Sequence, residues 1–226
     1  MKAVVPVKAS SSRVPNKNFR PFHGDRSLFD LTMEQLLEHF APADIHVSCE
    51  DPQKEALTRR YGVNFMLRER RLADNFTPFA DVVQEICAQV PGDEDICWAQ
   101  VCDPLFREFG RCLETWQEVR AEHDSLVVVH PVRGYFLDRD FRPMGFGFGY
   151  WHVPSQKLPA MYRYGFTLSV LTRESLARVG YPVGERPYWY VAAEGAVDID
   201  TEHDFELAQI IYAHSPAGDR SRSDIA

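Results

Sequence analysis

Short, nearly uninterrupted apolar runs alternate with segments of helical spacing through the first 130 residues. This rhythm narrows the fold more than any other feature of the chain. Lys2–Val7 reads as a buried strand, and Leu28–Phe40 places Leu28, Leu31, Leu36, Leu37 and Phe40 at helical spacing. Ile45–Ser48, Val63–Leu67, Ile96–Val101 and Leu126–Val129 read as further strands. Between them, Pro52–Tyr61 (stopped by Gly62), Pro78–Val90 and Leu105–Arg120 read as helices. Strands apolar on both faces, separated by helices, predict a mostly parallel α/β sheet covered on both sides.

The rhythm breaks at Gly134–Arg163, where glycines and aromatics dominate, as in Gly145–Trp151. That pattern predicts an inserted hairpin or loop arm. It could line a pocket or pack on a partner subunit. Strands return at Tyr164–Leu171 and Tyr188–Ala193, with helices at Arg173–Val179 and Thr201–Ala213. No repeat or linker divides the chain. The expected layout is one domain over 1–213, with 134–163 as its arm and 214–226 as a polar tail.

Charge excludes some partners. The 33 acidic residues outnumber the 25 basic ones, for a net charge of −8, which argues against a general nucleic-acid binder. No apolar run reaches the ~20 residues of a membrane helix, and the N-terminal stretch is too brief for a signal core. The five cysteines are odd in number and include no C-x-x-C, as expected of free thiols in a reducing, cytoplasmic setting.

Two segments carry chemistry. Lys8–Asn18 follows the first strand and sets Ala9, Ser10, Ser11 and Ser12 beside Lys8, Arg13 and Lys17. Small residues let backbone N–H groups approach an anion, and the cations neutralise it. A solvated basic loop would read the same way. Near the end, Val197–Asp204 places Asp198 and Asp200 two apart, on one side of an extended segment. Paired carboxylates suit a hard cation such as Mg²⁺, and helix capping by Asp200 or Thr201 competes with that reading.

Together the two segments resemble the cytidylyltransferases that make CMP-activated acidic sugars, the CMP-sialic acid synthetase family. VKASSSRVPNKN is similar to that family's first loop, and DIDTEHD to its closing D-I-D-T-x-x-D. Between them, Val47–Glu50 resembles V-S-T-D, Arg68 with Leu72–Asn75 resembles R-P-x-x-L-A-x-D, and Gln100–Leu105 resembles Q-P-T-S-P-L.

The resemblance implies a Rossmann-like sheet of the nucleotide-diphospho-sugar transferase type. It implies transfer of CMP from CTP to an acidic acceptor, a nonulosonic sugar first and a phosphonate second, with pyrophosphate released. A catalytically idle nucleotide- or sugar-binding protein is the contrasting expectation. Lys8, Arg13 and Lys17 would act on the phosphates. Ala9, Ser10, Ser11 and Asn18 would line the nucleotide, with Arg68 and Thr77 near the cytosine. Gln100, Gln156 and Lys157 would meet the acceptor, and Asp198 and Asp200 would hold Mg²⁺, with Mn²⁺ as a substitute. The arm would serve a homodimer.

The chain departs from the family pattern in several places. Lys8 stands for an arginine and Ser12 for a lysine, Glu50 stands for an aspartate, Val101, Cys102 and Asp103 alter the Q-P-T-S-P-L motif, and Ser155 stands where an arginine would reach a sugar carboxylate.

Overall fold

In the computed structural model, which describes residues 1–11, 13–193 and 197–215, the apolar runs assemble into one eight-stranded sheet. β1 (Lys2–Pro6) lies between β2 (Ile45–Cys49) and β4 (Ile96–Ala99), with β3 (Asn64–Leu67) outside β2, all parallel. On the far side of β4, β7 (Leu168–Leu171) runs antiparallel and joins it to β5 (Ser125–Val132). β5 also pairs parallel with β8 (Pro187–Val191) and antiparallel with β6 (Met161–Arg163). The sheet is thus parallel except for β6 and β7.

Both faces are covered because side chains alternate along each strand. One face buries Ala3, Val47, Cys97 and Leu126 against α1 (Leu28–Leu37), α4 (Phe109–Val119) and α6 (Glu202–Ala213). The other buries Val4, Ile96 and Trp98 against α3 (Phe79–Ala88) and Leu176 of α5 (Arg173–Val179). Local signals start and stop these helices. Ser27 and Asp30 form a capping box at α1, Thr172 caps α5, and Gly180, at φ 62°, ends it.

Three expected boundaries move. The helix expected from Leu105 begins at Phe109, because Asp103 and Leu105 form a turn first, with the Leu105 N–H donating to Asp103 Oδ1. Pro52–Tyr61 divides into a 3₁₀ turn over Pro52–Lys54 and a short α2 (Glu55–Arg59). The strand expected from Tyr164 begins only at Leu168. Register explains this last difference. Val127 faces Ser169 and His130 faces Arg163, so three steps along β5 span six along the return strand. The surplus bulges out, and Phe166 sits there at φ 56°.

The arm is not a regular hairpin. It holds an isolated bridge between Leu137 and Pro143, and two 3₁₀ turns, Gly149–Trp151 and Ser155–Lys157. Among the described residues no helix is long and apolar enough to cross a membrane, and all five cysteines are free thiols.

Candidate active site

A cleft of about 790 Å³ opens over the carboxyl ends of β1, β3 and β4 and the bulge before β7. That is the end of an open α/β sheet where ligands bind. Lys8, Ser10, Ser11, Arg13, Lys17 and Asn18 line it from the first loop. Arg68, Thr77, Gln100, Asp198 and Asp200 line it from four other segments.

The first loop is held from β2. Glu50, just past β2, accepts the Ala9 N–H at 2.8 Å through one oxygen, and the Arg68 Nη2 donates to the other at 3.1 Å. Arg68 also donates to the Val7 carbonyl at 3.1 Å and is buried to 4% exposure. The residue that stands in for an aspartate therefore still clamps loop and arginine together, because its longer side chain reaches both. Asn18 Nδ2 ties the loop to itself through the Lys8 carbonyl at 2.9 Å. Ala9 contributes through its backbone.

Lys8 reaches across to the Asp74 carbonyl and Asn75 Oδ1, at 3.2 and 3.3 Å. Burial and the positive charge of Arg68 lower its pKa. Asp74 accepts the N–H groups of Phe76 and Thr77 in an Asx turn, which sets Thr77 at the cleft wall.

The acidic segment is pinned on two sides. The Ile199 N–H donates to the Cys102 carbonyl at 3.2 Å, and Lys17 Nζ donates to the Ile199 carbonyl. Capping of α6 falls to Thr201 and Asp204, which form a complete capping box. The side chains of Asp198 and Asp200 are thereby left to the cleft. Asp200 Oδ1 pairs with Arg13 Nη2 at 2.6 Å. Burial, and then the charge of Asp200, push the Asp198 carboxyl above its ordinary value. Two carboxylates crowded at a cleft wall, one of them resisting ionisation, form a donor set that a divalent cation would relieve. Among the described residues there is no group of three or more His, Cys, Asp or Glu arranged to hold a metal alone, so other ligands would come from substrate or water.

Gln100 is positioned by its N–H on the Thr167 carbonyl, 3.2 Å away. Behind it Asp103, Thr167 and His130 form a buried network. The Thr167 hydroxyl lies 3.1 Å from Asp103 Oδ2 and 2.9 Å from His130 Nε2.

Three expected residues do not line the cleft: Ala9, whose N–H is taken by Glu50, and two on the arm. Gln156 and Lys157 lie on the exposed Ser155–Lys157 turn and do not line it. The reason is that the arm leaves the sheet beyond β5 and returns only at β6. Ser12 and the tail from residue 216 onward lie outside the described residues. The sequence reading missed Phe79, Trp98 and Phe166, which also line the cleft. Trp98 was findable, since it lies two residues before Gln100 and so shares its face.

Residues 2–105 match the sequence model of the cytidylyltransferase family. The matched stretch covers 104 of the chain's 226 residues. It runs from β1 to the turn after β4 and includes the first loop, the Glu50–Arg68 clamp and Gln100. The match points to the broader cytidylyltransferase family rather than to its sialate branch.

Solved structures share the fold. CMP:2-keto-3-deoxy-manno-octonic acid synthetase complexed with CTP is 14% identical, with TM-score 0.66, over 94% of this chain and 98% of that one. The 4-diphosphocytidyl-2C-methyl-D-erythritol synthase of Anaerococcus prevotii is 10% identical, with TM-score 0.60, over 94% and 96%. A cytidylyltransferase from Leptospira borgpetersenii is 13% identical, with TM-score 0.61, over 95% and 87%. A search of curated proteins finds no match.

Proposed function

We propose that the cleft transfers CMP from CTP to an oxygen of a small acceptor. The observation that carries this reading is convergence. Lys8, Arg13, Lys17 and Arg68 meet Asp198 and Asp200 in one cleft from segments up to 192 residues apart. The synthetase solved with CTP shares the fold.

The acceptor oxygen attacks the α-phosphorus and forms a new P–O bond. The bond to the bridging oxygen breaks, pyrophosphate leaves with the electron pair, and a hydroxyl proton passes to water. The chain's part is to hold the triphosphate in line and offset its charge. Lys8, Arg13 and Lys17 stand on that side, and the N–H groups of Ser10 and Ser11 are available to phosphate oxygens. Arg68 and the Asp74–Thr77 turn shape the base end. Asp198 and Asp200 would hold Mg²⁺ or Mn²⁺, which supplies charge neutralisation on the leaving pyrophosphate.

An acidic nonulosonic sugar, or a phosphonate, is the acceptor that the family resemblance implies. Gln156 and Lys157 give it no support from within this chain. The arm exposes Phe141, Phe148, Tyr150 and Trp151, an aromatic surface of the kind enriched at interface cores. A homodimer built on that surface belongs to the same proposal. Calorimetric titration tests the nucleotide reading. CTP should bind more tightly than ATP or GTP in the presence of Mg²⁺, and a purine triphosphate ranked first would sink it.

A further inference from the structure

The turn from Gln100 to Asp103 ties together two walls of the cleft. On one flank the Gln100 N–H donates to the Thr167 carbonyl at 3.2 Å. On the other the Cys102 carbonyl accepts the N–H of Ile199, the residue between Asp198 and Asp200, also at 3.2 Å. The Cys102 thiol lies between the Gly165 carbonyl, at 3.7 Å, and the Asp198 carboxylate, to which it hydrogen-bonds. Main chain and side chain of Cys102 therefore both bear on the acidic segment. Where this turn sits decides where Asp198 and Asp200 stand relative to the loop cations.

What holds the turn is buried. The side chains of Asp103 and His130 are 1% and 2% exposed, and neither they nor Thr167 line the cleft. Asp103 Oδ2 accepts the Thr167 hydroxyl at 3.1 Å and lies 3.4 Å from His130 Nε2, while Oδ1 accepts the Leu105 N–H at 3.3 Å. The Thr167 hydroxyl has one proton and gives it to the carboxylate. His130 Nε2, 2.9 Å from the same hydroxyl oxygen, must then carry a hydrogen and donate it. The bonds run in one direction, from imidazole to hydroxyl to carboxylate. A buried carboxylate without such partners is costly, so any shift of the turn would strip Asp103 of what keeps it in place. Asp103 stands at the serine of the Q-P-T-S-P-L pattern, and a serine there would be shorter and uncharged.

We infer that Asp103, Thr167 and His130 are positioning residues for the divalent ion. They fix the Gln100–Asp103 turn, and Cys102 in that turn presents Asp198, and with it Asp200, to a metal bound beside the triphosphate. The inference rests on the cytidylyl-transfer reading and on its carboxylate pair. Loss of a hydrogen-bond partner behind a metal ligand typically lowers metal affinity about 10- to 100-fold. This network acts one residue further back, so the lower end of that range applies.

Calorimetry on the full chain tests this. CTP is titrated in EDTA and again in Mg²⁺, and the ratio of the two dissociation constants reads the metal's share of binding. Thr167→Val keeps the side chain's shape and removes the hydroxyl at the centre of the network. It should reduce the ratio about tenfold, with CTP binding in EDTA within about twofold of the parent. Asp103→Asn, which keeps size and removes charge, should shift the ratio in the same direction. Thr167→Ser, which keeps the hydroxyl, should retain the parental ratio. A role in folding alone would lower the melting temperature of both Thr167→Val and Asp103→Asn and leave their ratios parental, and that result would overturn the inference. An equal loss of CTP binding in both buffers would overturn it too, as would a parent whose CTP affinity does not respond to Mg²⁺. The metal alone gives an independent reading. Mn²⁺ binding, followed by electron paramagnetic resonance without nucleotide, should weaken about tenfold in Thr167→Val, and parental Mn²⁺ affinity there would overturn the inference. A parent that binds Mn²⁺ but no CTP would instead overturn the cytidylyl reading and leave the Mn²⁺ comparison to decide the role of the network. A parent that binds neither would overturn both.

Discussion

The β3–β1 side of the cleft and the β4–β7 side are built on different physical terms. The first is electrostatic and locked. Arg68 is buried at the end of β3, the Glu50 carboxylate holds it and the loop backbone together, and Lys8 bridges to the next segment. The second is aromatic and strained, with its ring surface delivered by a bulge in the return strand. The stretch that matches the cytidylyltransferase family, residues 2–105, covers the first side together with Phe79, Trp98 and Gln100 of the second, and stops before β5, the arm and the bulge. A ligand that every relative must hold demands fixed charges at fixed places. An acceptor that varies can be met by whatever the later half of the chain supplies.

The largest test of this contrast is at the border between the two sides. Asp198→Asn or Asp200→Asn keeps size and removes charge. If the pair holds a divalent ion, turnover should fall on the order of 100-fold with folding nearly unchanged, and Mn²⁺ should restore part of it. Steady-state kinetics beside thermal melts would show this. Near-parental turnover in both variants would leave the carboxylates with no metal role, since Thr201 and Asp204 already cap α6.

A second test breaks the locked side. Glu50→Gln keeps an acceptor for the Ala9 N–H and leaves Arg68, 4% exposed, without its counter-charge. Removing one partner of a buried ion pair typically costs about 3 kcal/mol, to be read by urea denaturation. A variant as stable as the parent would mean that Arg68 is held by the Val7 carbonyl alone.

The smallest effect is one of pH. The Asp198 and Asp103 carboxyls are both raised, chiefly by burial. Each binds its proton more tightly folded than unfolded. Stability without metal should therefore fall as pH rises from the ordinary carboxylate range through the raised values. Mg²⁺ at tenfold excess over its Kd should return about 1.4 kcal/mol, but only where the Asp198–Asp200 pair is ionised. Melting temperatures with and without Mg²⁺ across this pH range check this. A stabilisation by Mg²⁺ that did not grow with pH would count against the pair as the site.

Much of the sheet was legible because β1, β2, β4, β5 and β7 are buried on both faces over most of their length, so apolar runs marked them directly. The loop cations and the two aspartates were legible as residue types at fixed spacing, and the fold brings them together. Tertiary devices were harder to see. Phe166 enters the cleft because its strand carries surplus residues relative to β5, and nothing in Tyr164–Thr167 announces a left-handed backbone except Gly165 beside it. Gln156 and Lys157 look like acceptor ligands in a linear alignment, but the arm carries them away from the cleft. The helix expected from Leu105 starts late because Asp103 turns inward to Thr167 and His130, a use of its carboxylate that spacing alone does not reveal.

The surplus residues between β6 and β7 also bear on how such a chain can change. The pairings at Ser125–Leu171 and at His130–Arg163 bracket the bulge and are set independently of its contents. Exchange or lengthening of Tyr164–Thr167 would alter the cleft wall while both flanking registers stay fixed. The fold thus supplies a replaceable cassette beside a fixed chassis.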